Sequence, residues 1–186
     1  MTDLVALLAR KLGSSERTLS LLESNRETLG VDCEPTDPGL VAMSLCSLGV
    51  PPEEVSSLLS WKEFESFCAD VLRSAGFMVR ENVHLRKPAA QIDIVAKGIS
   101  IVLSIDCKHW KRGASASALA RVAQDQNKRN KQLRATIPDA PPIISVVLTL
   151  AQQSERFASG AAVVPLFALR SFLNSIDDYR GLLDSF

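Results

Sequence analysis

The spacing of apolar residues changes its period at about residue 77. Before that point leucines recur at helical intervals. Leu4, Leu7, Leu8 and Leu12, then Leu19, Leu22 and Leu29, predict helices over 3–12 and 15–29. Gly13, Ser14 and Ser15 separate them, with Ser14 or Ser15 as the N-cap. "VDCEPTDPG" reads as a loop, 39–48 as a third helix closed by Gly49, and "PPEEVSSLL" as a short fourth whose proline and glutamates suit a first turn. "WKEFESFCADVLRSAGF" starts from Ser60 as N-cap and ends at Gly76. It sets Trp61, Phe64, Phe67 or Cys68, Val71 and Leu72 on one face. Strands then follow at about 78–85, 91–96 and 99–107, and a long polar helix over about 114–135. "PPIISVVLTL" is a continuous apolar run, as in a strand covered on both faces. "QQSERFASG" reads as a short helix, "AAVVPLF" as a strand and "LRSFLNSI" as a helix. This order predicts an α/β sandwich with a mixed sheet, preceded by a small all-helical segment.

Composition adds little to that picture. Hydrophobic residues make up 46% of the 186 and charged residues 23%, as in ordinary globular chains. No apolar run reaches the roughly 18 residues of a membrane helix. Asp3 stands where a signal peptide would carry bases, so the expected location is cytoplasmic or otherwise intracellular, with no membrane partner. Cys33, Cys46, Cys68 and Cys107 form no CxxC pair and read as buried thiols.

Charge changes it more. The zero net charge conceals a split. Residues 1–60 carry nine acids against four bases, net −5. The stretch 108–134 carries eight bases against Asp125 alone, net +7. Such an asymmetry suits a polyanion facing the second part, though a solvated helix face would look the same. The acidic helices suit a protein partner or simple packing better than phosphate. The expected division is therefore an accessory segment over 1–59 and a main domain over 60–186.

The candidate chemistry lies in "QIDIVAKGISIVLSIDCKHWKR", residues 91–112. Asp93 and Asp106 interrupt two apolar strands, where charge is costly unless it is used. Alternation puts Ser104, Asp106 and Lys108 on one face and Cys107 on the other. A tight turn at Lys97–Gly98 would make the strands neighbours and bring the two aspartates together, with Lys108 beside them. Carboxylates forced close either shift their pKa or share a cation. Hard oxygen ligands favour Mg²⁺ or Mn²⁺. An ammonium beside such a metal can hold a water or steady developing negative charge. The set suits phosphodiester hydrolysis; an ordinary ion-pair network at a sheet edge is the alternative.

Around these residues the chain resembles the PD-(D/E)xK nuclease superfamily, and within it the restriction-endonuclease-like Mrr group and archaeal Holliday-junction resolvases. The resemblance runs over about 60–176, through "FESFCADVLRSAGFMV", "IDIVA", "IDCKHW", "PIISVVLTL", "SERFASG" and "VVPLFALRSFL". It implies an α/β/α sandwich and a Mg²⁺- or Mn²⁺-dependent endonuclease acting on DNA, with RNA also admitted, either Mrr-like or resolving junctions and flaps, and a possible homodimer. It assigns Asp93 and Asp106 as metal ligands with the backbone carbonyl of Cys107, Glu65 as the acidic helper with Glu63 as alternative, and Lys108 to the attacking water. On that reading the basic stretch offers Lys111, Arg112, Arg121, Lys128, Arg129 and Lys131 as phosphate contacts. Gln124 or Gln126 would touch the site or remain on the surface. His109 would meet phosphate or be incidental; Trp110 would stack on a base or pack on the long helix. Many relatives carry glycine two places before the first aspartate; here Gln91 stands there.

Overall fold

The computed structural model describes residues 16, 20, 23–24, 38–47, 50, 59–110 and 113–186. Of the expected N-terminal helices, Glu16, Ser20, Glu23 and Ser24 are helical, and the rest of 3–12 and 15–29, like "PPEEVSSLL" before Leu59, lies outside the described residues. The third is helix α1, Pro38–Ser47.

Helix α2, Trp61–Ser74, begins at a capping box. Ser60 Oγ accepts from Glu63 N at 3.2 Å and Glu63 Oε2 accepts from Ser60 N at 2.8 Å. Gly76, at φ +87°, turns the chain into the sheet. Strands β1 (Met78–Arg86), β2 (Ala89–Lys97) and β3 (Val102–Lys108) form an antiparallel meander. The turn between β2 and β3 is wider than the two residues expected. Residues 98–101 make it, closed by Gly98 N donating to Ile101 O at 2.8 Å.

Helix α3, Ala116–Thr136, crosses back to β4, Ile143–Thr149, which runs parallel to β3. The expected helix at "QQSERFASG" is not formed. Residues 152–156 are irregular, and Phe157–Ala158 is strand β5, hairpinned onto β6, Ala161–Pro165, through Ser159 and Gly160. Gly160 sits at φ +77°, a left-handed backbone that a helix interior does not use. Helix α4, Leu169–Asn174, follows. The sheet order is β1-β2-β3-β4-β6-β5.

The layers follow from alternation. Ile94, Ala96, Leu103, Ile105, Cys107, Val146 and Leu148 face α2, and α1 covers α2 within the same core. Val95, Val102, Ile143, Val147 and Val163 belong to the other face, under α3. The result is the expected α/β/α sandwich on a mixed sheet. Cys46, Cys68 and Cys107 carry thiols outside any disulfide. Among the described residues no helix is long and apolar enough to cross a membrane.

Candidate active site

The site is a fork where two strands part. The β2–β3 ladder pairs Lys97 with Val102, Ala96 with Leu103, Val95 with Ser104 and Ile94 with Ile105, and then stops. The next pair in that register is Asp93 with Asp106. Both carboxylates lie just beyond the last pair, near enough for the Asp106 charge to act on Asp93. Asp93 Oδ2 accepts from Cys107 N at 2.8 Å, replacing the missing ladder bond with a side-chain one. One residue's N–H and C=O point to the same neighbouring strand, so the Cys107 carbonyl opens toward Asp93. The Cys107 thiol lies on the α2 side against Cys68; that contact and burial push its pKa well up.

Asp106 is buried, its side chain only 3% exposed, and carries two cations. Lys108 Nζ lies 2.5 Å from Oδ2 and Arg129 Nη1 lies 2.7 Å from Oδ1. Each Asp106 oxygen is therefore matched by a cation, Oδ2 through the ion pair with Lys108 and Oδ1 through Arg129. Burial raises the pKa of Asp93 above its ordinary value, the Asp106 charge adding to it and the Cys107 N–H opposing it. Glu65 is raised as well, first by burial and then by the charges of Asp93 and Glu81. The Trp61 indole N–H, bonded to Glu65 Oε1, and the Lys108 charge act against that rise.

Glu63 and Glu65 are separated by their positions on α2. Glu63 is exposed and belongs to the capping box, which lowers its pKa through the Ser60 N–H. Glu65 is half-buried and faces the fork. Trp61, expected with the core face, is instead 41% exposed. It bonds Glu65 one turn on, and Lys108 Nζ lies 5.8 Å from its ring centroid. Its place at the first turn, beyond the buried stretch Phe64–Leu72, accounts for the difference.

On α3, the glutamines divide too. Gln124 is exposed, with Ser159 Oγ at 3.5 Å. Gln126 is fully buried; it donates to Ser104 Oγ at 2.6 Å and accepts from Arg129 Nη1 at 2.9 Å. One turn on, Asn130 donates to Ser145 Oγ at 2.7 Å. Ser104 and Ser145 are register partners on β3 and β4. Two amides on two paired hydroxyls fix the helix over the sheet and deliver Arg129 to Asp106. Arg129 thus turns its guanidinium inward onto Asp106. Arg121, Lys128 and Lys131 are exposed, Lys128 paired with Asp125 at 2.7 Å. Lys111 and Arg112 lie outside the described residues. Arg134 satisfies loop carbonyls, at 2.7 Å to Ala140 O and 2.9 Å to Pro141 O.

His109 rests against Phe64, 6.0 Å between centroids, with Nε2 buried and unpartnered. Trp110 packs with Leu119 and Ala123 of α3. Gln91 donates to Asn82 Oδ1 at 2.8 Å, tying β2 to β1. Pattern reading overlooked Trp61 as a neighbour of the site and left Gln124 and Gln126 as alternatives. Gln126 carried a signal: Leu119, Ala123, Gln126, Asn130 and Leu133 recur at intervals of four and three, so two amides sit on a buried stripe.

Among the described residues no three His, Cys, Asp or Glu side chains converge closely enough to enclose an ion by themselves. Mg²⁺ does not ask for that. It is commonly held by one or two carboxylates, with waters and substrate phosphate completing the shell. Two carboxylates, Asp93 and Asp106, and a backbone carbonyl fit such an ion.

The comparisons agree with this geometry. Residues 57–137 match the family model of the Mrr catalytic domain, described as restriction endonuclease. An uncharacterized protein of Archaeoglobus fulgidus is 30% identical over 124 residues, which cover 65% of this chain and 95% of that one. The matched segment spans α2, the three-strand meander and α3, the elements that carry Glu65, Asp93, Asp106, Lys108 and Arg129. The chain belongs to the restriction endonuclease family, within the PD-(D/E)xK superfamily of nucleases.

Proposed function

We propose that the chain is a divalent-metal-dependent endonuclease that cuts DNA at the β2–β3 fork. The observation that carries the reading is that fork. The ladder ends one pair short of Asp93 and Asp106, and Lys108 lies against the second carboxylate. Asp93, Asp106 and the Cys107 carbonyl would hold Mg²⁺ or Mn²⁺, with Glu65 reaching it directly or through water. When bound, the ion polarises the phosphate and lowers the pKa of a water.

The chain's own residues do the rest. Cys107 N–H fixes one oxygen of Asp93 and leaves the other for the site. Trp61 holds Glu65. Lys108 keeps a positive charge beside the reacting phosphate and orients the water for in-line attack. Arg121, Lys128 and Lys131 along α3, with Lys111 and Arg112, supply sequence-independent phosphate contacts. Phosphate contacts carry no sequence information, so a substrate recognised by shape, such as a junction or flap, suits them as well as plain duplex does. Symmetric cutting would require two copies about a two-fold axis. The acidic segment over 1–59 is a candidate partner surface for the nuclease domain over 60–186; its α1 packs on α2, on the side of the sheet opposite α3.

The test is cleavage of labelled duplex, flapped and four-way-junction DNA, with an RNA duplex alongside, in Mg²⁺ or Mn²⁺. Wild type is compared with Asp106→Ala and Lys108→Ala. Each variant is expected to lose about 10²-fold or more while retaining DNA binding. Wild-type protein that binds DNA but cuts nothing in either metal overturns the reading.

A further inference from the structure

Resting on that reading, we propose that Arg129 is a fixed counter-cation of the metal centre. It holds Asp106 Oδ1 so that the fork takes one divalent ion and not two. Paired-ion phosphodiesterase centres set their ions about 3.5–4 Å apart. A carboxylate shared between two such ions offers one oxygen to each. Here that sharing is blocked on one side. Both oxygens face a cation, Oδ1 the Arg129 Nη1 at 2.7 Å and Oδ2 the Lys108 Nζ at 2.5 Å; the single ammonium on its flexible stem can yield Oδ2 to an ion, whereas the guanidinium is braced in place.

The guanidinium is not a surface arm that has fallen inward. The same Nη1 donates to Gln126 Oε1 at 2.9 Å, and Gln126 is fully buried and braced on the buried Ser104 hydroxyl. If Arg129 swung out, a carboxylate oxygen and an amide oxygen would stay buried without a donor, which costs far more than a surface contact returns. Arginine suits the role because it stays charged at any working pH and donates in a fixed plane.

The charges agree. Glu65, Asp93 and Asp106 against Lys108 and Arg129 leave one negative charge. One divalent ion and one phosphodiester bring that centre to neutrality, whereas a second divalent ion would leave it strongly positive. Arg129 is therefore a positioning residue. It acts on how many ions Asp106 can accept and does not touch the reacting atoms.

The experiment counts Mn²⁺ bound per chain, by equilibrium dialysis without nucleic acid, for wild type, Arg129→Gln, Arg129→Lys and Asp106→Ala. The expected counts are one for wild type, one for Arg129→Lys and two for Arg129→Gln, whose shorter, uncharged side chain leaves Oδ1 open. The first ion should bind Arg129→Gln about tenfold more tightly or better, because a neighbouring positive charge is gone. If Arg129→Gln does not fold, Gln126→Leu loosens the guanidinium and should admit a second ion at higher Mn²⁺. Two ions on wild type, or one ion on the neutralised or loosened variant at wild-type affinity, overturns the counter-cation. A different result marks failure of the metal centre itself: no Mn²⁺ on wild type, or the same count with Asp106→Ala.

Discussion

Gly39→Ala measures how firmly the helical segment is tied to the nuclease body. Gly39 lies in the first turn of α1, over the ring of Phe67 on α2. A Cβ built there would stand 2.1 Å from Phe67 Cγ, 2.4 Å from Cδ2 and 2.6 Å from Cβ. Unstrained carbons meet at about 3.5–4.0 Å. The obstructing atoms are the root of a side chain only 2% exposed, so the ring cannot swing aside. Overpacking of this kind costs about 1–3 kcal/mol. Replacing glycine in a helix returns about 0.5–1 kcal/mol at most. Contacts this short put the overpacking at the upper end of its range, about 3 kcal/mol, so the net destabilisation is about 2–2.5 kcal/mol. At about 2–4 °C per kcal/mol for a chain of this size, the melting temperature falls by about 4–10 °C. Thermal unfolding is followed by circular dichroism, with Gly181→Ala as control. A Cβ at Gly181 meets nothing within 4 Å, and its effect should stay within about 0.5 kcal/mol. If Gly39→Ala melts at or above wild type, α1 does not seat on Phe67 and 38–47 is not part of the nuclease core.

Two further expectations concern the start of α2 and the outer face of α3. Ser60→Ala removes the N-cap and should cost about 1 kcal/mol in urea unfolding. The Ser60 N–H holds the Glu63 pKa below its ordinary 4.5. A lowered carboxylate pKa contributes stability that is complete above the ordinary value and is lost as the pH falls through the folded one. The stability gap between wild type and Glu63→Ala should therefore narrow from about pH 4.5 downward; a gap that is flat with pH refutes the cap. Arg121→Ala and Lys131→Ala should each lower the slope of log affinity for DNA against log salt by about one, with fluorescence anisotropy as the readout. An unchanged slope places DNA elsewhere.

The period change at residue 77 and the doubly apolar run 143–149 made the sandwich legible, because both report burial, which is what a sequence encodes most directly. Asp93 and Asp106 were legible for the converse reason: charge inside apolar strands marks use. The failures share a cause. "QQSERFASG" has helical composition, yet it turns at Ser159 and Gly160 because β6 needs an edge partner that only tertiary pairing supplies. Trp61 fits the apolar spacing of α2, but the sheet it would cover does not extend beneath the helix's first turn. Arg129 looks like its neighbours Lys128 and Lys131 in sequence. What separates it is about 80° of helix rotation relative to the stripe of Arg121 and Lys128, enough to aim it at Asp106. No local pattern reveals which cation on a helix faces inward unless the buried stripe has been drawn first.

The amide-to-hydroxyl seam between α3 and the β3–β4 pair has one more consequence. Gln126 on Ser104 and Asn130 on Ser145 act as two pins, and two pins fix both the rotation and the axial position of a helix. The position of Arg129 relative to Asp106 is then independent of the connection that leads from β3 into α3. The stretch 111–113, between Trp110, which packs on α3, and the capping residue Ser115, can change in length or composition without detuning the charge balance of the fork. Evolution, or a protein engineer, can rewrite the loop that follows the reactive lysine to alter what is bound, while the part that does the cutting keeps its alignment.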